Sequence, residues 1–204
     1  MTELHVTLFE GMPRTGKTTL ALRYLATPAC PPVRFVFDPL GIMAATCGLV
    51  AAETEAELEC ALEEGACFFD CSTAFPGNRT AGFDWFSRWS LERARALAGR
   101  KLLFVDEVWK HCSPQAIPPA LAEWVQDGAK WNCECLFATQ TPNKLNSSIA
   151  GQLTEAVCFR LQEKNALEFN AGLGFDIEEL RALQPGSFVA LNLYSGGVRR
   201  GRVF

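Results

Sequence analysis

At 204 residues the chain is long enough to bury the core of one α/β domain and too short for two of the usual size. With 19 Lys and Arg against 23 Asp and Glu, the net charge of −4 excludes a generic nucleic-acid binder; any contact with a polyanion must come from a local basic patch. No apolar run is long enough to cross a bilayer, no signal-peptide pattern opens the chain, and the nine cysteines include no CxxC pair. The expectation is a soluble, intracellular single domain spanning residues 1–204, with free, mostly buried thiols and no zinc site.

Residues 4–10 (LHVTLFE) read as a buried strand and residues 18–26 as a helix. Between them, residues 11–18 (GMPRTGKT) match G-x-x-x-x-G-K-[ST] in full. Strand, glycine loop and helix in this order make a phosphate-binding loop. Gly11 and Gly16 let the backbone turn its N–H groups inward, and the helix aims its positive end at the same point. The expected nucleotide contacts are Gly11, Met12, Pro13, Arg14, Thr15, Gly16, Lys17, Thr18 and Thr19. Lys17 would reach the β- and γ-phosphates of ATP, and the Thr18 hydroxyl would hold Mg²⁺.

Further along, the proline-rich residues 28–32 form a loop. VRFVF (33–37) reads as a second strand ending at Asp38-Pro39. Thr54 with Glu57 makes a capping box opening a helix through Glu64, with Gly65 as its stop and its many glutamates a solvated face. A short strand covers 66–70, a polar loop 71–82, and a helix 83–98. The helical spacing of Phe86, Trp89, Arg93 and Leu97 marks that helix's core stripe, and Gly99 ends it. Lys101 to Val105 is an apolar strand. A proline-punctuated loop (111–119) leads into a helix reaching about Lys130, and 133–138 is the next strand, with Cys133 and Cys135 on one face and Glu134 on the other. Residues 156–161 and 187–193 are further strands, and Ser195, Gly196 and Gly197 read as a hairpin turn. Alternating strands and helices predict a three-layer α/β fold: a mostly parallel central sheet, helices on both faces, and an antiparallel hairpin at the end. Ligands in such sheets sit beyond the carboxyl ends of the strands, where the phosphate-binding loop lies.

Two other strand ends carry chemistry. KLLFVDE (101–107) delivers Asp106 and Glu107 to the end of a buried strand. Asp106 is suited to the Mg²⁺ hydration shell, and Glu107 to polarising an attacking water as general base. Adjacent carboxylates repel unless a cation lies near, which the metal would supply. LFATQTP (136–142) ends in Gln140, a neutral side chain that both donates and accepts hydrogen bonds and so suits the orientation of water beside a γ-phosphate.

Together these motifs resemble the additional-strand, catalytic-glutamate branch of P-loop ATPases, whose core is RecA-like. FVFDPLG (35–41) resembles the second-strand element of the HerA/FtsK superfamily of DNA-translocating ATPases. Residues 138–188 resemble its C-terminal half: an ATQ-x-P strand end, a short helix, the AVCFRL strand, a helix and the GSFVAL strand. Without accessory domains, the chain is similar to the genome-packaging ATPases of membrane-containing icosahedral viruses. It is similar also to the Zot-like assembly ATPases of filamentous phages, which typically carry a transmembrane segment; a small nucleoside or metabolite kinase is the other alternative. The resemblance implies ATP and Mg²⁺ as ligands, catalytic roles for Lys17, Glu107 and Gln140, metal binding by Thr18 and Asp106, and a ring-shaped homo-oligomer, a hexamer, moving double-stranded DNA. It also implies a place in the host cytoplasm or on the virion, with vertex or membrane proteins as partners. Two features depart from the pattern. Arg14 and Thr15 replace small loop residues, and Glu155-Ala156 stands where an arginine is usual. The arginine acting across a subunit boundary is left among Arg79, Arg88, Arg93 and Arg160. The basic cluster Arg199, Arg200 and Arg202, and Lys144 beyond Gln140, are the candidate DNA contacts, the former equally readable as an edge strand guarded by charge.

Overall fold

The computed structural model describes residues 5–204. Eight strands form one sheet: β1 (His5–Glu10), β2 (Val33–Phe37), β3 (Ala66–Phe69), β4 (Lys101–Val105), β5 (Cys133–Thr139), β6 (Glu155–Phe159), β7 (Ser187–Asn192) and β8 (Val198–Arg202). Their spatial order is β3-β2-β4-β5-β1-β6-β7-β8. The first six run parallel, and β7 and β8 close the sheet as an antiparallel hairpin, as the strand–helix alternation predicts. Leu4, the first residue of the predicted opening strand, lies outside the described residues.

Side-chain alternation explains why both faces are covered. Val6 and Leu8, Phe35 and Phe37, Leu103 and Val105, and Cys133, Cys135 and Phe137 point to one face. Phe9, Val36, Leu102, Phe104, Leu136 and Ala138 point to the other. The first face is packed by α3 (Glu55–Glu63), α4 (Arg79–Ala96), α5 (Pro119–Asp127) and α6 (Ser147–Ala150). The second is packed by α1 (Lys17–Leu25) and α2 (Ile42–Thr46). A smaller cluster under β6 and β7 takes α7 (Lys164–Leu173) and α8 (Ile177–Ala182). The result is three layers. Among the described residues no helix is long and apolar enough to cross a membrane. The cysteines are all free, with Cys47 and Cys60 exposed and the others buried.

The capping box forms as read: Thr54 accepts from Glu57 N–H, and the Glu57 carboxylate accepts from Thr54 N–H. The largest difference from the sequence reading is α4, which starts at Arg79 and not Phe83. Asn78 caps it through the Ala81 N–H. Gly82, read from sequence as part of a loop, sits inside this helix at a point where Cys71 leaves no room for a side chain; a Cβ there would lie 2.6 Å from Cys71 Cβ. The predicted helix to Lys130 ends at Asp127 and continues as a 3₁₀ turn, Gly128–Trp131. Helix α2 carries no strong periodic signal and was not anticipated, and the helix before the last hairpin is two helices broken at Gly174, where φ is 101°.

Gly82 separates two opposing effects. Alanine raises intrinsic helix propensity by about 1 kcal/mol over glycine, whereas overpacking costs roughly 1–3 kcal/mol. The contact with Cys71 Cβ decides the sign: Gly82→Ala should lower the urea midpoint, and adding Cys71→Gly should recover part of the loss.

Candidate functional site

Because β1, β5 and β4 are adjacent and parallel, their carboxyl ends share one edge of the sheet. Glu10 pairs with Thr139 and Val105 with Phe137 in register, so the loops starting at Gly11, Asp106 and Gln140 emerge together. An open cleft of about 400 Å³ results, lined by Pro13, Arg14, Gly16, Lys17, Thr18, Thr19, Asp106, Glu107, Gln140 and Phe204. Of the sequence-predicted contacts, Gly11, Met12 and Thr15 do not line this cleft; their hydrogen bonds hold the loop's shape.

That shape rests on close backbone approach. Gly11 (φ 148°) and Gly16 (φ 115°) sit in the region that favours glycine. A Cβ on Gly11 would lie 2.7 Å from Phe159 Cβ, so the loop lies directly on the end of β6, where Met12 N–H also donates to Arg160 O at 3.0 Å. Thr15 Oγ1 donates to Met12 O at 2.7 Å and tightens the turn. The buried Lys17 ammonium donates to Gly11 O (2.8 Å) and Met12 O (2.9 Å), reaching back across the loop. Burial pushes its pKa down, and the Glu107 and Asp106 carboxylates pull it back up. Arg14, one of the departures noted in the sequence, takes a left-handed conformation (φ 61°) that a small residue would adopt at lower cost.

On the facing strand, burial and then the Glu107 carboxylate raise the Asp106 pKa, while the Glu107 N–H, at 2.9 Å from Asp106 Oδ1, and Lys17 lower it. A divalent cation would remove the repulsion between the two acids; the Thr18 hydroxyl and Asp106 carboxylate are oxygen ligands fitting Mg²⁺, and the Lys17 ammonium is a positive charge fitting a phosphate chain. Glu107 has φ 49°, a strained conformation that turns its side chain back toward β5. Its Oε2 accepts from Trp109 Nε1 at 2.6 Å and from Gln140 N–H at 3.3 Å. Trp109 was not identified from the sequence; a lone tryptophan two residues after the acidic pair carries no signal of its own.

The arginines separate. Arg88 pairs with Asp84 (3.0 Å), and Arg93 with Glu59 (2.6 Å) and Glu55 (3.9 Å). Arg79 lines a second hollow of about 340 Å³ that shares Thr18, Asp106 and Glu107 with the cleft. Arg160 stands at the end of β6 with its Nε buried and unpartnered among the described residues. In the terminal hairpin, Arg199 pairs with Glu155 and Arg200 with Glu179 (2.5 and 2.8 Å), so both charges are answered within the chain. Lys144 Nζ lies 4.8 Å over the Trp109 ring, on the loop after Gln140.

One group behind the loop escapes any motif. Glu10, the last residue of β1, is completely buried. Its Oε2 accepts from Asn170 Nδ2 at 3.0 Å, while Glu10 Oε1 and Asn170 Oδ1 have no partner among the described residues. Desolvation raises its pKa to about 8, opposed by the Asn170 bond. Burial thus favours its neutral form, immediately before the phosphate-binding loop.

No protein-family model matches the sequence, and no curated protein matches it. Solved structures do share its fold. The genome-packaging NTPase B204 of Sulfolobus turreted icosahedral virus 2 in complex with AMPPCP superposes with a TM-score of 0.74 at 15% identity, over 99% of both chains. Its sulfate complex gives 0.77 at 15% identity, over 99% of this chain and 98% of that one. ATPases 2 and 3 of EccC from Thermomonospora curvata give 0.60 at 13% identity, covering 97% of this chain and 36% of that chain. The chain therefore has the fold of these ATPases.

Glu10 links this region to stability. Folded, it holds its proton up to about pH 8; an ordinary glutamate loses it near 4.5. Across that window the folded state binds the extra proton, so stability falls as pH rises and levels off above it. Glu10→Gln keeps an uncharged hydrogen-bonding group and should flatten this slope. The gain over wild type should grow by roughly 3–5 kcal/mol between pH 4.5 and pH 8, read from urea unfolding at both pH values.

Proposed function

We propose that this protein is an ATPase whose single domain, residues 1–204, works in a homo-oligomeric ring to move double-stranded DNA, as the motor that packages a viral genome. The observation that carries the reading is the one cleft on which Lys17, Thr18, Asp106, Glu107 and Gln140 converge, with β5 standing between the phosphate-loop strand and the acidic strand. Likeness over 99% of both chains to a genome-packaging NTPase in complex with AMPPCP supports it.

Residues 11–19 would hold the phosphates of ATP, with Lys17 turning its ammonium from the loop carbonyls to the ligand. Thr18 and Asp106 would hold Mg²⁺, which when bound neutralises charge on the phosphate oxygens. Glu107 has Oε2 fixed by two donors, leaving Oε1 to accept a proton from water. Gln140 gives its backbone N–H to that same carboxylate, so a side chain suited to water and γ-phosphate is tied to the base. A metabolite kinase excludes water instead of activating it, and a carboxylate oriented in this way favours hydrolysis.

Ring assembly is supported by the apolar side chains of Leu40, Ile42, Leu49 and Val50, exposed on the segment around α2, the first two lining the second hollow. The terminal hairpin reads as an edge strand guarded by paired charge. The loop carrying Lys144 is then the stronger candidate to face DNA, and its lysine stacks on the tryptophan that holds Glu107, a direct route from DNA contact to the base. Action in the host cytoplasm or on the virion, beside vertex or membrane proteins, belongs to the same reading.

Lys17→Ala should abolish tight ATP binding. Glu107→Gln should bind ATP normally and lose at least about a hundredfold in turnover, measured by nucleotide titration and steady-state phosphate release; near-normal turnover in Glu107→Gln would remove the assigned base. For assembly, specific activity should rise with protein concentration, since an arginine supplied by a neighbour is worth roughly 10³–10⁵ in rate. Mixing in Arg79→Ala or Arg160→Ala chains should show which arginine poisons wild-type turnover. For DNA, Lys144→Ala should lower DNA-stimulated hydrolysis and flatten the log–log salt dependence of binding by about one unit, whereas Arg199→Ala with Arg200→Ala should leave the slope unchanged.

A further inference from the structure

We infer that Phe204 is the platform on which the base of the bound nucleotide stacks, an inference that rests on the nucleotide-binding reading above. Phe204 is 60% exposed, large and aromatic, and it lines the same cleft as Lys17 and the two strand-end acids.

Its position is built. The buried Val203 donates its N–H to Gly186 O at 2.8 Å, and Gly186 N–H donates to Thr15 O at 3.0 Å, so two successive backbone bonds tie this segment to the phosphate-binding loop. The Phe204 ring packs on two glycines. A Cβ on Gly186 would lie 2.8 Å from the ring, and one on Gly16 would lie 3.5 Å from it. The approach to Gly186 needs a residue without a side chain, the one to Gly16 is ordinary van der Waals contact, and what they hold is an aromatic ring that remains mostly open to solvent.

The order of groups along the cleft gives the ring its role. Asp106, Glu107 and Gln140 come from β4 and β5, on one side of β1, whereas Phe204 follows β8, on the other side. A triphosphate whose outermost phosphate lies toward the acids, the metal position and Gln140 runs over Gly16, Lys17 and Thr18, and its sugar and base leave toward Thr19 and Phe204. A nucleobase is a flat π-system that loses water from its face on stacking against an aromatic ring. Stacking reads area and not the base's hydrogen-bonding edge, so ATP and GTP should bind alike and pyrimidine triphosphates more weakly.

The test compares ATP with inorganic tripolyphosphate, which has the phosphates and no base, by calorimetric titration in Mg²⁺ buffer on wild type, Phe204→Ala, Phe204→Leu and Phe204→Trp. The expected result is about tenfold or greater weakening of ATP binding in Phe204→Ala, an intermediate loss in Phe204→Leu, and full affinity in Phe204→Trp. Tripolyphosphate affinity should stay within about twofold throughout. Phe204→Leu keeps apolar packing on the two glycines without a π-face, so it separates stacking from support of the loop. If wild type binds both ligands and Phe204→Ala leaves ATP unchanged, or weakens ATP and tripolyphosphate equally, the stacking role is overturned and the nucleotide-binding reading stands. If wild type binds neither ligand, both fall together.

Discussion

Strand order is the constraint on which the rest of this molecule depends. β5 lies between β1 and β4, and neighbouring strands are about 4.8 Å apart. The phosphate-binding loop and the acidic strand end therefore stand roughly 10 Å from each other, with a polar strand end between them. The strand between them brings Gln140, a side chain that carries no charge, into the cleft. The parallel register does the remainder, because it sends the three loops out of the same edge at the same level.

Charge is managed there by burial more than by pairing. Lys17 spends its donors on loop carbonyls, and its carboxylate neighbours act on it only at a distance. Asp106 has its pKa raised by desolvation and by the acid next to it. Behind the loop, burial disfavours the charged form of the Glu10 carboxyl group.

The loop is also held from the side away from the acids. Phe159 lies under Gly11, Gly186 is hydrogen-bonded to Thr15, and the segment after β8 is hydrogen-bonded to Gly186. The antiparallel hairpin thus does more than close the sheet edge. It returns the chain to the phosphate-binding loop from a position far away in sequence, and two of its arginines, Arg199 and Arg200, are paired with Glu155 and Glu179 while it does so.

What the sequence determined by itself is everything set by neighbours along the chain. The glycine–lysine loop between strand and helix, the capping box at Thr54, the apolar strand ending in Asp106-Glu107 and the turn at Gly196 each depend on a few consecutive residues, and each forms where those residues place it. The tertiary structure alone decided what depends on distant contacts. Gly82 signals a loop in a local reading, yet it lies inside α4, its lack of a side chain answering the close approach of Cys71. Arg199 and Arg200 form a basic cluster in sequence and neutral pairs in space, because Glu155 and Glu179 come from other elements. Glu10 and Asn170, 160 residues apart, meet behind the loop, and Phe204 meets Gly16 only when the whole sheet is assembled. Local patterns fix local geometry through backbone hydrogen bonds and sterics; the identity of a side chain's partner follows only from how the layers pack.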